Sequence, residues 1–571
     1  MIDISIKKIY NFLVNEEPKK LKLKRSINKY SVKTPNKENV IFLTIGDKKK
    51  QAYVVTGKGK NLRSAINDAV QKYFKYRPKN HKPKQLKVDF LHSYELINKD
   101  KGFNFKKDKL RYDRGGEGLA FGKDFHTVFL PSEVASFGII RKQKLHVKNS
   151  FRALHKHLPT SFSPYTKPID ERSETTAYKI RTKTYYIDEN NFFELYRNHR
   201  IFKKLTKKDI LEAIELTKDN YFKHVVNKKG KFIYSYLPFE NKREKRYNIL
   251  RHAGTIYSML EVYELMPDEK LLKEAKRAFK FLIRRIKPFI INGEEVKVVV
   301  ERDSMKVGGN ALAIVALAKY TQVTGDTQYV TLMQELASWL KENQNQNGEF
   351  IVHKQQYSTG EHFDFVSHYY PGEAILALVR LYQIDKNETW LDVAENAAHY
   401  LINIRDKDDT LETIAHDHWL LYGLNELYRE RKKQLYLDHS FFISEAIMRT
   451  QITEETASRE ELIGGYVPRS GNEPNSTPVA CRSEGLSASY KLAKDFGYHE
   501  LAEKMKHAIK EGVKFQLQMQ LRPESVMHYA NKKLVTGAVQ GGLKSLGLRI
   551  DFTQHNISSF VALYNILKND D

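Results

Sequence analysis

"GGNALAIVALAKYTQVTG", residues 308–325, is small or apolar on nearly every side of the helix it would form. A helix without a polar face belongs in an interior, not at a surface. Five other stretches share its character, a polar start running into a body built for burial: 247–264, 369–384, 415–430, 482–496 and 550–568. Two of them contain "YYPGEAILALVRLYQI" and "EGLSASYKLAKDFG". Their starts are spaced by roughly 45 to 70 residues, a period that points to a repeat architecture.

Between these helices lie amphipathic ones with a conventional charged face. They read "KKDILEAIELTKDNYFKHVV", "DEKLLKEAKRAFKFLIRRIK", "TQYVTLMQELASWLKENQ", "ETWLDVAENAAHYLINI", "KQLYLDHSFFISEAIMR" and "HELAEKMKHAIKEGVKFQLQ". Alternation of buried and half-buried helices closes naturally into a double-layered ring, apolar helices inside and amphipathic ones outside. Strand or hairpin signals in "GKFIYSYLP", "EEVKVVVERDS" and "GEFIVHKQQYS" precede several inner helices. They place the decorated connections and the inner helix N-termini at one end of the ring.

With "GGNALAIVALAKYTQVTGD" and "YYPGEAILALVRLY", residues 200–571 resemble the six-hairpin glycan-active toroids. That superfamily includes glycoside hydrolases, unsaturated glucuronyl hydrolases, N-acylglucosamine 2-epimerases and the helical domain of uronyl C5-epimerases. The resemblance lies in architecture and matches no single family's catalytic motif. It implies a carbohydrate cleft at the ring mouth, lined by aromatic and acidic residues. The expected fold class is mainly α, an (α/α)6 toroid preceded by a basic α/β or α+β module. The expected domains are a basic module at 1–160, a connector at 161–199 and the toroid at 200–571.

The net charge of +27 sits almost entirely in the front third. Residues 1–200 hold 44 lysines and arginines against 20 acidic residues, a net of +24, which leaves +3 for residues 201–571. Such asymmetry separates two functions in one chain. "VIFLTI", "QAYVVTG", "LKVDFLHSYELI" and "HTVFLP" read as strands, "NLRSAINDAVQKYF" as a helix, and "RGGEGLAFG" as a glycine-rich turn without phosphate-loop order. The lysine-rich runs "KKLKLKR" and "KYFKYRPKNHKPK" predict an anionic polymer or a membrane surface as partner of residues 1–200. No apolar run is long enough to span a membrane. The first residues lack signal-peptide order, and the single cysteine, Cys481, excludes an internal disulfide. Both fit a cytoplasmic location.

Polar groups crowd the mouths of the inner helices. Hydrolysis of a glycosidic bond needs two carboxylates, one protonated and one ionised. The candidates are Asp417, Glu373, Glu484 and Asp551, with Asp303 and Asp364 on the connections. Helix capping or dipole compensation explains Asp551, Glu373 and Glu484 equally well, so Asp417, in "HDH", leads. Arg251, Arg482 and Arg549 would bind a substrate carboxylate or phosphate. Tyr247, Tyr369 and Tyr370 would stack on sugar faces, and His252, Asn310, His416, His418 and His555 complete the expected binding set.

Hydrolysis in an acidic glycan is the leading expectation. Its rivals are a uronic-acid or amino-sugar epimerase or lyase, with Tyr or His moving protons, and a non-catalytic scaffold for anionic polymer. No cofactor and no metal are expected. His416, His418, His555, Asp417 and Cys481 supply mixed ligands only if the fourth to sixth inner helices converge, and no HExxH spacing marks them. The toroidal lanthionine cyclases and prenyltransferases hold zinc with Cys and His, but one cysteine cannot assemble the cyclase ligand set.

Overall fold

The computed structural model describes residues 2–16, 21–97, 108–159, 176–468 and 470–569. The first part of the expected connector, residues 161–175, and the first residues of "KKLKLKR" lie outside them. The chain divides into two compact units, one of residues 1–201, 237–242 and 521–536, the other of residues 202–236, 243–520 and 537–571.

The first unit is built on an eight-stranded sheet of order β5-β4-β9-β3-β1-β2-β8, with β10 paired to β9. Its strands are β1 (Asn39–Gly46), β2 (Tyr53–Gly59), β3 (Gln85–Ile97), β4 (Gly118–Phe121), β5 (Thr127–Phe129), β8 (His157–Leu158), β9 (Ala177–Asp188) and β10 (Phe192–Leu195). A separate small hairpin pairs β6 (Ile140–Arg141) with β7 (Lys144–Leu145). Helices α1 (Ile2–Val14), α2 (Leu62–Tyr76), α3 (Pro131–Phe137) and α4 (Val147–Leu154) complete it. Every residue of β1 is buried, so both faces of the sheet are covered there. Residues 177–195 correct the expected connector. β9 pairs with β3 from Gln85↔Asp188 to Ile97↔Ala177, and its long β-branched and aromatic run finds its ladder there.

The second unit carries the helices. Inner helices are α7 (Ile249–Leu265), α9 (Val307–Thr324), α11 (Tyr369–Asp385), α13 (His418–Glu430), α15 (Ser476–Asp495) and α18 (Ile550–Lys568). Each packs against the next, and α18 packs back on α7, so the ring is closed. Outer helices are α8 (Glu269–Ile283), α10 (Val330–Glu342), α12 (Glu388–Tyr400), α14 (Gln434–Arg449) and α16 (His499–Leu517), each against the inner helix before it. The sixth, α5 (Lys207–Leu216), comes from before the ring and packs on α18. It continues as a π-helical turn, Thr217–Phe222, and the short α6 (Lys223–Val225). Six pairs of helices therefore form a two-layered toroid.

The two layers follow from their sequences. In α9 every residue from Val307 to Thr321 is buried, as its lack of a polar face requires. In α8 burial follows the helical stripe Leu271, Leu272, Ala275, Ala278, Phe279 and Leu282, and Asp268 caps the helix by accepting from the Leu271 amide at 2.8 Å. Between α16 and α18 the chain leaves the ring, and residues 521–536, ending in α17 (Lys532–Val535) and Thr536, cluster with the first unit.

Small residues set the ring's tightness. A Cβ on Gly372 would stand 2.5 Å from the Leu420 backbone nitrogen and 3.0 Å from the Trp419 carbonyl carbon. Backbone atoms cannot yield as a side chain does, so Gly372→Ala must push α11 and α13 apart. We expect a loss of about 1–3 kcal/mol, read as a lower midpoint in denaturant unfolding. An unchanged midpoint would show that these helices are not held at contact distance.

Candidate active site

A cavity of about 1480 Å³ opens at the N-terminal end of the inner helices. All six contribute to its lining: Asn248 and Arg251, Leu312, Tyr370 and Glu373, His418 and Trp419, Cys481 and Arg482, and Asp551 and His555. The polar starts of apolar helices thus serve one shared space. It exceeds the roughly 300–1,000 Å³ of a typical small-molecule pocket, which suits an oligomeric or polymeric ligand.

The carboxylates differ from one another in ways the helix starts explain. Helix α11 begins at Tyr369 and has no acid in its first turn, so Glu373 stands one turn inside and is not a dipole-compensating residue. Glu373 is buried, and its Oε2 has no hydrogen-bond partner. A Cβ added to Gly308 would lie 2.2 Å from that oxygen, so the glycine makes the carboxyl's room. Burial holds the Glu373 carboxyl well above the ordinary carboxylate range; the neighbouring Asp417 adds to the effect and His555 opposes it. The carboxyl is thereby biased toward its protonated form.

Asp417 is the N-cap of α13. Its Oδ1 accepts from the amides of Trp419 and Leu420 at 3.0 and 3.1 Å, and it is fully buried beneath the cavity lining. Burial lifts its carboxyl to about 7 against those two amides and Arg405. The acid with the weakest capping pattern in sequence is therefore the one that caps. Asp551 does line the cavity, held by Arg251 Nε at 3.0 Å and Arg549 Nη2 at 2.8 Å. Helix α18 begins at Ile550 with Arg549 as N-cap, so Asp551 stands in its first turn and does not cap it. Glu484 sits more than two turns into α15, because "NSTPVACR" is already helical from Ser476. Its Oε1 meets His555 Nδ1 at 3.0 Å, and burial raises its carboxyl to about 7.

The structure brings Arg251, Tyr369, Tyr370, His416, His418, Arg482, Arg549 and His555 to the cavity wall with Glu373 and Asp551. Arg482 Nε donates to His416 Nδ1 at 2.9 Å. Three expected binding residues serve the scaffold instead. His252 is buried, and burial lowers it to about 3, so it is neutral; Nε2 donates to the Ala278 carbonyl at 3.0 Å and Nδ1 accepts from the Tyr247 hydroxyl at 2.7 Å. Tyr247 in turn accepts from the Phe232 amide. Asn310 accepts from the Val299 amide and donates to the Lys306 carbonyl, tying a hairpin to α9. Asp303 likewise fastens its loop, through Gln356 and Ser358. Their polarity at helix mouths is a packing need. Trp419, Phe552, Phe365 and Arg449 line the cavity without having been singled out by sequence. Only Trp419, adjoining "HDH", carried a positional signal.

No family model matches the chain, and no curated protein matches it. Among solved structures, it is similar to the α-1,6-mannanase GH76A of Salegentibacter sp. HEL1_6, with 13% identity, 63% of this chain and 99% of that one covered, and a TM-score of 0.43. It is similar to cellobiose 2-epimerase from Bacillus thermoamylovorans B4167, with 13% identity, 63% and 100% covered, and a TM-score of 0.46. An unsaturated glucuronyl hydrolase specific for heparin gives 15% identity, 64% and 97% covered, and a TM-score of 0.43. The toroid itself rests on the helix pairing described above. Among the described residues, no helix is long and apolar enough to cross a membrane.

Two expectations follow from the acids. Asparagine caps as well as aspartate, so Asp417→Asn should keep the melting temperature while Asp417→Ala loses about 0.5–2 kcal/mol; equal losses in thermal unfolding would refute the cap. Glu373 has a folded-state pKa above its unfolded one, so its ionisation opposes folding as pH rises beyond the ordinary value of 4.5. Glu373→Gln removes that penalty. Its melting temperature relative to wild type should climb as pH rises above the ordinary carboxylate value, and a difference that stays flat with pH would contradict a raised pKa at Glu373.

Proposed function

We propose that this chain is a carbohydrate-active enzyme that hydrolyses a glycosidic bond in an acidic glycan held at the ring mouth. The observation that carries the reading is Glu373, a buried carboxyl with one unpartnered oxygen, pushed well above the ordinary carboxylate range, in the lining of a cavity large enough for a chain of sugars. A protonated acid in a low-dielectric wall is what a glycosidic leaving group requires. In this reading Glu373 donates its proton to the departing oxygen. Asp551, kept between Arg251 and Arg549, is the second carboxyl group of the pair, acting on water or on the developing positive charge of the sugar.

Two guanidinium groups sharing one carboxylate leave an excess positive charge at the mouth, which favours a substrate bearing carboxylate or phosphate. Arg482 adds a further cation on α15. Tyr369, Tyr370 and Trp419 offer ring faces to the sugars, Tyr369 being about half exposed. The excess of basic residues in 1–200 supports a second role, gathering the same class of anionic polymer.

The test is turnover of a polyanionic glycan by Glu373→Gln. Loss of a general acid removes roughly 10² to 10⁴ in rate, and the amide preserves the shape of a neutral carboxyl, so the fold should survive. Wild-type activity should fall as pH rises through the elevated pKa of Glu373, because only the protonated form donates. A folded Glu373→Gln variant with undiminished turnover would remove the acid from the mechanism and with it this reading.

A further inference from the structure

The side of the cavity formed by α13, α15 and α18 holds a second group of side chains that hydrolysis by Glu373 and Asp551 does not use. Each helix contributes one: His418, Cys481 and His555, all three on the cavity wall. One donor atom of each lies within 4.8 Å of the others. The two imidazoles meet edge to face, with ring centroids 5.3 Å apart. The convergence of the fourth to sixth inner helices, on which a mixed-ligand site depends, is met.

Two observations beyond proximity point to a ligand. His418 is only 4% exposed, and neither Nδ1 nor Nε2 has a hydrogen-bond partner. A buried imidazole with both nitrogens orphaned loses hydrogen bonds that water would supply, which is unfavourable unless something else takes them up. Its neighbours offer sulfur and a second imidazole. His555 is already oriented: its Nδ1 is taken by Glu484 Oε1 at 3.0 Å, which leaves Nε2 to face the group. A carboxylate behind a histidine, fixing its tautomer and strengthening its other nitrogen, is the recurrent outer support of metal-bound imidazoles.

We propose that His418, Cys481 and His555 bind a divalent metal ion of borderline softness, zinc before others, with Glu484 as the positioning residue behind His555. Two imidazoles and one thiolate suit zinc and not magnesium or calcium, which prefer oxygen. Tetrahedral coordination with the usual bond lengths sets donor separations of about 3.3–3.6 Å, so the three atoms draw together by about 1 Å on binding, within reach of side-chain rotation. Three protein ligands leave the fourth position toward the cavity, the arrangement of sites that hold an exchangeable water or substrate oxygen. Binding releases the thiol proton of Cys481. The site shares the cavity with Glu373 and does not depend on the glycan reading.

The full-length protein, stripped with chelator and dialysed, is titrated with zinc against a chromophoric competitor, and in parallel with cobalt(II). We expect one equivalent of zinc bound and a thiolate-to-cobalt charge-transfer band in the near ultraviolet. Cys481→Ser should abolish the band and weaken zinc binding by at least about tenfold, and Glu484→Gln should weaken it about 10- to 100-fold while the band persists. His399→Gln, on outer helix α12, should bind as wild type. Failure of the wild type to bind zinc, or a wild-type cobalt complex without the charge-transfer band, overturns the proposal even if a variant does not fold. So does a folded Cys481→Ser with undiminished affinity. None of these readouts depends on turnover, so they stand apart from the fate of Glu373.

Discussion

Closure of α18 against α7 is the constraint on which everything at the ring mouth depends. The two helices are some three hundred residues apart in sequence, and their seam is polar as well as apolar. Ser258 donates to the Gln554 carbonyl at 3.1 Å, Thr255 approaches the Gln554 side chain, and Ser558 donates to Glu261. The Gln554 amide fits against Gly254, where a Cβ would stand 2.4 Å from its nitrogen. Buried hydrogen bonds of this kind stabilise modestly when made and cost more when broken, so they fix register. The same seam ends in the contact of Arg251 with Asp551. A slip of one helix against the other would separate the guanidinium from the carboxylate and misplace His555 from Glu484.

Within that frame, the cavity sorts its acids by depth. Glu373 has one buried, unpartnered oxygen, and burial pushes its carboxyl well above the ordinary range. Asp551 is held between two arginines. Asp417 spends one oxygen on two helix amides, and Glu484 spends one on an imidazole. Four carboxyl groups that look alike in sequence thus sit in four different surroundings, and two of them, Glu373 and Asp551, line the cavity.

The ring was legible from sequence because an interior helix must be apolar all round and an exterior one striped; α9 and α8 show the two patterns in their simplest form. The roles of individual acids were far less legible, because they turn on where a helix begins. Starting α15 at Arg482 makes Glu484 a first-turn acid, yet Asn475, Ser476 and Pro478 start it six residues earlier. Taking Pro371 as the first helical residue likewise makes Glu373 a first-turn acid, whereas Tyr369 is already helical. Asp417 failed in the opposite direction, since its cap is made to Trp419 and Leu420 and leaves no glutamate or glutamine partner to betray it. A shift of a few residues along the chain turns a cap into an acid on a wall.

The departure of residues 521–536 from the ring bears on how this protein is made. The Ala52 amide donates to the Met527 carbonyl at 2.8 Å, Ser132 meets His528 at 3.2 Å, Arg200 pairs with Glu524 at 2.7 Å, and Met527 is packed with Ala52, Tyr186 and Leu195. Those partners emerge from the ribosome several hundred residues after the sheet they complete. The N-terminal unit cannot reach its final packing by the ordinary vectorial order in which a first domain folds before the next is synthesised. It waits, partly assembled, for a strip delivered from beyond the fifth outer helix of the ring. Translation of nearly the whole chain is therefore a precondition for the maturity of its first third.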